Sequence, residues 1–304
     1  MHVAVVTPAF NVAPYIADAI ASVIAQTHRD WSLVVVDDGS TDPTAKVATS
    51  FRDPRIHILR QPKAGVSAAR NRGIAEAGRT DAFLFLDADD WLAPAALSTL
   101  VDTLSASPWA IAACGRYARV GLDGRLRLSG KAPNGDVLEV LLTRNLFANG
   151  GHVLVAADAL AEAGGYDPCL AYGEDWELWT RLAQLGEFAA ARTTYPLLFV
   201  RERPESATFT HATTPDCNGQ VLDVIYRNEL LRHRLGRRRL AQLRRLAQAE
   251  TAWAVGKSLI HRGARRDGCL YLLQAAAARP SLKRLCLLAL SAGGIGPFRP
   301  CIMS

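Results

Sequence analysis

The chain has 304 residues, 49% apolar and 21% charged, a balance that excludes a disordered, collagenous or membrane-embedded protein and fits one large α/β domain with an appendage, or two domains. The net charge of +6 conceals an asymmetry: residues 227–299 hold sixteen Lys and Arg against Glu229, Glu250 and Asp267, so the remainder is acidic and is where chemistry is to be sought. Six cysteines, at 114, 169, 217, 269, 286 and 301, form no C-x-x-C pair and no zinc spacing, which argues against a structural metal or a disulfide framework and suits reduced thiols in a cytosolic setting.

In chain order, residues 3–7, 33–36, 56–59 and 83–86 are short apolar runs that predict strands, and 15–26, 44–51, 66–77 and 94–104 predict helices between and after them. Strands apolar on both faces, alternating with helices, predict a parallel sheet covered by helices, with ligands bound beyond the carboxyl ends of the strands. Runs 111–120 and 125–128 flank Asp123-Gly124, a hairpin signal, so a mixed, partly antiparallel edge is expected there. After an acidic start, Trp176, Leu178, Trp179, Leu182 and Leu185 recur at helical spacing, predicting a helix from Gly173 or Glu174. A Thr/Pro/Asn/Gly stretch over 208–219 separates the sheet region from a helical tail over 220–290, broken near Gly236, Gly263 and Pro280. The expected domains are therefore 1–210 and 211–304. The first residues read as a strand rather than a secretory signal, and the apolar segment 285–295 falls well short of the roughly twenty residues that a spanning helix needs.

Four clusters carry chemistry. Strand 33–36 runs into Asp37-Asp38-Gly39-Ser40-Thr41-Asp42, which serves either as a turn and helix cap or as a carboxylate site for the ring N–H of a pyrimidine. Strand 83–86 runs into Asp87-Ala88-Asp89-Asp90, three mutually repelling carboxylates that call for positive charge among them. A divalent cation, Mn²⁺ or Mg²⁺, held by Asp87 and Asp89 together with a substrate diphosphate, answers that need, whereas capping the next helix explains only one acid. Gly65-Val66-Ser67-Ala68-Ala69-Arg70 places small residues where a helix nears the sheet and aims Arg70 at phosphate or carboxylate. Gly164-Gly165-Tyr166-Asp167 and Gly173-Glu174-Asp175-Trp176 place two acids at a helix start, where the dipole keeps them ionised; plain capping is the competing role. Trp176 and Trp179 can stack on a sugar or pack in the core.

In this order the four clusters resemble a family 2 glycosyltransferase of the GT-A fold, over about residues 1–209. The resemblance implies a Rossmann-like mixed α/β sheet flanked by helices, with a C-terminal helical appendage. It also implies an inverting, single-sugar transfer from a nucleotide-diphosphate sugar, expected to be a UDP-sugar, to an acceptor hydroxyl in surface polysaccharide or glycolipid assembly. Thr7, Pro8, Phe10 and Asn11 with Asp37 and Asp38 match the nucleoside site, the Phe10 ring lying beside the base. Arg70 matches an arginine near the nucleotide and is expected to stabilise the departing diphosphate. Asp87, Ala88 and Asp89 match the D-x-D element for metal and diphosphate, and Asp175 the catalytic base. Glu174, Trp176 and Arg201 are candidates for acceptor or diphosphate contacts, Arg201 belonging to an Arg-Glu-Arg-Pro-Glu-Ser loop over the diphosphate. The Gln-x-x-Arg-Trp element of processive synthases is absent, which points away from polymerisation.

The arginines between 227 and 245 interleave with Leu230, Leu231, Leu235, Leu240, Leu243 and Leu246, a basic amphipathic helix for an anionic membrane surface or for packing on the catalytic domain. The expected location is cytoplasmic, peripheral on the inner face of the membrane, with a saccharide or lipid-linked acceptor. Two rival functions stand beside this. A sugar nucleotidyltransferase calls for a Gly-rich basic loop after the first strand, where Pro8-Ala9-Phe10-Asn11 stands instead. A nucleic-acid-binding protein acting through the tail lacks interleaved aromatics, so no nucleic acid partner is expected.

Overall fold

The computed structural model describes residues 1–203 and 218–292. Strand β1 (Val3–Ala9) is almost wholly buried, which is why its sequence runs Val-Ala-Val-Val instead of alternating: both of its faces are covered. It is followed by α1 (Ile16–Ile24), β2 (Trp31–Asp37), α2 (Thr44–Ala48), β3 (Ile56–Arg60), α3 (Val66–Glu76), β4 (Ala82–Phe85), β5 (Trp91–Leu92) and α4 (Ala96–Ser105). The middle of the chain adds β6 (Ala110–Cys114), β7 (Tyr117–Val120), β8 (Leu126–Leu128), α5 (Leu138–Leu141), a 3-10 turn (Gly150–His152) and β9 (Val153–Ala156). Then come α6 (Ala157–Ala163), α7 (Glu174–Leu185), β10 (Glu187–Ala190) and β11 (Leu198–Arg201).

The main sheet has seven strands in the order β10-β6-β9-β4-β1-β2-β3, and a second sheet has the order β5-β11-β7-β8. Strands β4, β1, β2 and β3 are parallel, as expected. The mixed, partly antiparallel edge expected around Asp123-Gly124 is present in the second sheet, where β7 pairs antiparallel with the edge strand β8 and parallel with β11; in the main sheet β9 is antiparallel to both neighbours and lies inside, between β4 and β6. Gly150 makes this insertion possible, because a Cβ there would lie 2.6 Å from Phe85 Cβ and 2.9 Å from its carbonyl oxygen. The run 111–120 also proves to be two strands in two sheets, divided at Gly115.

Helix α4 buries Leu97, Leu100, Val101 and Leu104 on one face, at about 1.5–3 kcal/mol for each large aliphatic side chain removed from water. Helix α3 lies against β1 at Gly73, whose hypothetical Cβ would sit 2.3 Å from Val6 Cγ1. That close approach brings Arg70 and Asn71 to the carboxyl ends of the central strands.

Two compact units divide the chain: Met1–Leu138 with Leu146–Arg203, and Glu139–Asn145 with Pro204–Ser304. The expected boundary between 210 and 211 lies outside the described residues. In the second unit α8 (Gly219–Tyr226) precedes α9 (Glu229–His261), α10 (Arg265–Ala278) and α11 (Leu282–Ala292). Asn228 caps α9 by accepting the Leu230 N–H at 2.9 Å, and Gly236 breaks it with φ 75° and ψ 155°. Leu231, Leu240 and Leu243 of the arginine-rich stretch are buried, continuing into Ala247, Ala252 and Val255, with α10 packed alongside. The leucine face, for which a membrane surface and packing were both open, is thus largely core of this unit, and of these leucines Leu230 alone is mostly exposed. Arg239 and Arg244 of the same helix pair with Glu139 and Asp223. No described helix is long and apolar enough to cross a membrane.

Candidate active site

At the carboxyl end of β2 the two acids are absorbed by their surroundings. Asp37 accepts the Ser40 N–H at 3.0 Å and faces Arg60 Nε at 3.3 Å. Asp38 accepts from Gln61 Nε2 at 2.7 Å and from the N–H groups of Ala64 and Gly65 at 2.8 Å each, which pins the 61–65 loop beside β1. Both carboxylates are buried. Asn11, at φ 51°, accepts from Thr41 N–H at 2.9 Å and so ties the β1 turn to the β2 turn. Phe10 stands at the rim, 36% exposed, with Lys63 Nζ 4.0 Å from its ring centroid. Pro8 is half-buried. For Thr7 and Ala88 the expectation needs correction: both side chains are inside, so they can offer a nucleotide only their backbone.

The acids after β4 are held differently. Asp87 Oδ1 accepts from Arg70 at 2.8 Å. Its Oδ2 accepts from Asn149 at 3.1 Å, and the same amide donates to Asp90 Oδ2 at 2.6 Å. Asp90 also accepts the Arg201 N–H at 2.8 Å. Asp89 pairs with Arg203. Carboxylate oxygens of Asp87, Asp89 and Asp90 lie within 4.8 Å of one another. Burial pushes the Asp89 carboxyl up, with Asp87 adding to the effect and Arg203 opposing it. Burial, then Asp89 and Asp87, push Asp90 well above the carboxylate range. Three crowded hard oxygen donors are a fit for a divalent cation, with Asp87 and Asp89, half-buried where Asp90 is fully enclosed, as its ligands. Positive charge among these acids was expected from a metal; the structure adds Arg70 and Arg203 to that role.

Arg70 is the hub. It is 2% exposed, and its guanidinium reaches Glu174 Oε1 at 2.8 Å, Asp175 Oδ1 at 3.2 Å and Asp87 Oδ1 at 2.8 Å, joining α3, α7 and the β4 end. Burial alone would lower its proton affinity, but Asp175, Tyr166, Asp87 and Glu174 hold it well above its ordinary value. The expected diphosphate contact by Arg70 is therefore corrected: its charge is spent on three carboxylates beneath the surface. The Tyr166 ring lies 4.9 Å from the guanidinium, with its backbone gripped at both ends by Asn71, whose Oδ1 accepts from Tyr166 N–H and whose Nδ2 donates to Tyr166 carbonyl, each at 2.8 Å. From the other side Arg181 donates to the carbonyls of Ala163 and Gly165. Gly165, at φ 74°, allows this clamp, since a Cβ would lie 2.8 Å from Asn71 Oδ1.

Asp175 opens α7. The helix dipole was expected to keep it ionised; instead burial pushes its carboxyl up to about 7, Arg70 pulls against this, Glu174 and Asp87 add to it, and the Tyr166 hydroxyl pulls back. Desolvation outweighs the dipole here. Trp176 is corrected as a sugar platform: at 5% exposure it has no open ring face. Glu174 is occupied by Arg70. Arg201 is also corrected, because its guanidinium donates to Asp18 at 2.7 Å and to the Asp89 carbonyl at 3.1 Å and lies 4.7 Å from the Trp91 ring. Arg203, two residues on, faces Asp89 and the Tyr15 ring instead. Residues 204–206 of that loop lie outside the described residues. Sequence reasoning missed Asn149, which no motif announces, and His152, a buried neutral residue lowered to about 4 by desolvation. His152 accepts the Ala148 N–H and sits 2.9 Å from the Gly115 carbonyl, fixing the turn that presents Asn149.

The profile of glycosyl transferase family 2 matches residues 4–158, just over half of the chain. The chain belongs to this family. Over 117 residues it is 34% identical to the uncharacterized glycosyltransferase EpsJ of Bacillus subtilis, covering 38% of this chain and 34% of that protein. Over 92 residues it is 40% identical to the putative teichuronic acid biosynthesis glycosyltransferase TuaG of the same organism, covering 29% of this chain and 36% of that protein. The matches span little more than a third of these relatives' own length. Among solved structures, S. aureus TarS 1-349 in complex with UDP-GlcNAc superposes with a TM-score of 0.66 at 18% identity, over 98% of this chain and 93% of that one. The mannosyltransferase PcManGT from Pyrobaculum calidifontis, in complex with GDP-Man and Mn²⁺, gives 0.59 at 22% identity, over 96% and 79%. At such identities the likeness shows the fold, which is the GT-A type of family 2 glycosyltransferases. The family profile covers β1 to the start of α6 and stops before α7, so Asp175 lies beyond the matched residues.

Proposed function

We propose that this chain is an inverting, metal-dependent glycosyltransferase that moves one sugar from a UDP-sugar to an acceptor hydroxyl. The observation that carries the reading is the Arg70 cluster, where one buried guanidinium gathers Asp87 from the β4 end and Asp175 from the start of α7. A donor-side acid and a candidate base, 88 positions apart in sequence, thus share one charge centre.

In this reading Phe10 and the 61–65 loop held by Asp38 flank the nucleoside, with Asn11, Asp37 and the backbone of Thr7, Pro8 and Ala88 framing the pocket. Asp87 and Asp89 would hold the divalent cation, which when bound supplies a Lewis acid for the diphosphate. Arg203, now paired with Asp89, would exchange that partner for the leaving diphosphate and set a cation where negative charge develops. Asp175, with a proton affinity near neutrality, takes the proton of the acceptor hydroxyl; proton transfer of this kind contributes roughly 10²–10⁴ in rate. Attack from the face opposite the diphosphate inverts the anomeric centre in one displacement. The UDP-GlcNAc and GDP-Man complexes of similarly folded proteins support a nucleotide-diphosphate sugar as donor, and the Mn²⁺ in the second supports the cation. The name of the TuaG relative supports surface polysaccharide assembly with a saccharide or lipid-linked acceptor. We assign catalysis to residues 1–210 and a cytoplasmic, membrane-peripheral location to the whole.

A panel of nucleotide sugars with Mn²⁺ or Mg²⁺, scored for release of nucleoside diphosphate, tests the proposal. Release of UDP that needs the cation and disappears in Asp175→Asn supports it; release of pyrophosphate, or no metal requirement, overturns it.

A further inference from the structure

Helix α11 is built the wrong way round for a helix facing water. Two of its polar residues, Arg284 and Ser291, one heptad apart, are buried, while Leu282, Leu285, Cys286 and Ala289, at offsets 0, 3, 4 and 7, are exposed. Leu282 is 84% exposed and Leu285 50%. The orientation is fixed. Arg284 donates to Glu250 at 2.7 Å and to the Ala275 carbonyl at 3.1 Å and lies 5.1 Å from the Trp253 ring, and Arg265 donates to the Ser291 carbonyl at 2.6 Å. The helix is therefore held at both ends with Leu282 and Leu285 outward and Leu287 and Leu288 half-buried. On the neighbouring α10, Leu270 and Leu273 are also more than half exposed, beside the exposed Arg266.

An apolar face of this kind asks for an apolar partner, and charge selects which one. Residues 218–292 contain fifteen Lys and Arg against four Asp and Glu, so two copies of this unit repel one another whereas an anionic lipid surface attracts each of them. We propose that α11, with the exposed leucines of α10, docks in the plane of an anionic membrane, its leucines inserted at the level of the head groups and the arginines of the unit facing the phosphates. This moves the membrane contact from the arginine-rich stretch of α9, whose leucines are core, to the last described helix. The inference gives a place to the lipid-linked acceptor of the proposed function but rests on the surface of the helical unit alone.

The test is co-sedimentation of the full chain with vesicles of phosphatidylcholine, with and without phosphatidylglycerol, beside light scattering of the free protein. The wild-type chain is expected to bind the phosphatidylglycerol vesicles, less so as salt is raised, and Leu282→Gln with Leu285→Gln to lower the partition about tenfold or more. Leu122→Gln, an exposed leucine of the other unit, leaves binding unchanged and controls for general loss of hydrophobicity. Unaltered helical content by circular dichroism shows that the double variant is folded. Equal binding by wild type and double variant, equal binding to neutral vesicles, no binding by the wild type, or a dimer that the double variant splits would each overturn the proposal. Failure of sugar transfer by the same preparation would count against the enzymatic reading and leave the vesicle result standing.

Discussion

Two aspartate-rich turns at the ends of parallel strands look alike in sequence and differ in how their charge is answered. At the end of β2, Asp38 is held by two backbone N–H groups and an amide, all within one short loop. At the end of β4, and across from it at the start of α7, Asp87, Asp89 and Asp175 are answered by the side chains of Arg70 and Arg203, from remote segments. Peptide donors cannot leave without unfolding the loop, so Asp38 is scaffold. The Arg203 guanidinium, unlike that of the buried Arg70, can exchange its partner, so the second turn is where the proposed substrate would be taken up and released.

That contrast can be broken at several points. Asp175→Asn keeps the shape of the side chain but cannot accept a proton, and is expected to lower kcat by roughly 10²–10⁴ while UDP affinity, read by calorimetry, barely moves. Equal loss of both would place Asp175 in binding instead. In the wild type the rate should climb with pH through about 7, because only the ionised form serves as base and burial has raised its pKa. The stability sign is opposite: a carboxyl raised in the fold favours the native state at low pH, and that contribution is lost as pH rises through about 7. Asp89→Ala removes a ligand and is expected to weaken Mn²⁺-dependent UDP binding roughly 10–100-fold, with the metal-free affinity as reference. Asp38→Asn turns an acceptor toward peptide donors and should cost about 1–3 kcal/mol in chemical denaturation, with kcat nearly intact. A kcat loss without destabilisation would erase the distinction between the two turns. Arg203→Ala gives the smallest change, about tenfold in donor KM, since Arg70 still organises the acids.

The sequence made the strand-end acids legible because an apolar run that stops in carboxylates has few structural uses, and helix α7 because its apolar period is buried from Trp176 to Leu182, with Leu185 alone of the five exposed. It could not show β9 entering the middle of the sheet, since pairing between residues seventy positions apart leaves no local pattern. Asn149 was invisible for the same reason: an amide ahead of a Gly-Gly pair has no signature until Asp87 and Asp90 are brought to it. Arg201 and Arg203 were indistinguishable in a string of letters. Strand β11 separates them, pairing Phe199 with Trp91 and so laying Arg201 over that indole. The leucines among the arginines read equally as a membrane face and as a packing face, because a single helix cannot disclose that another helix already covers it.

The shared guanidinium of Arg70 has a thermodynamic corollary. Its attraction holds Asp175 below the proton affinity that burial alone would impose, and the negative charge of Asp87 works in the opposite sense. Any ligand that draws off the charge of Asp87 leaves more of the arginine to Asp175 and loosens the proton there. Loading one side of the cleft then primes the other, and by reciprocity an alkaline medium tightens the hold on the ligand.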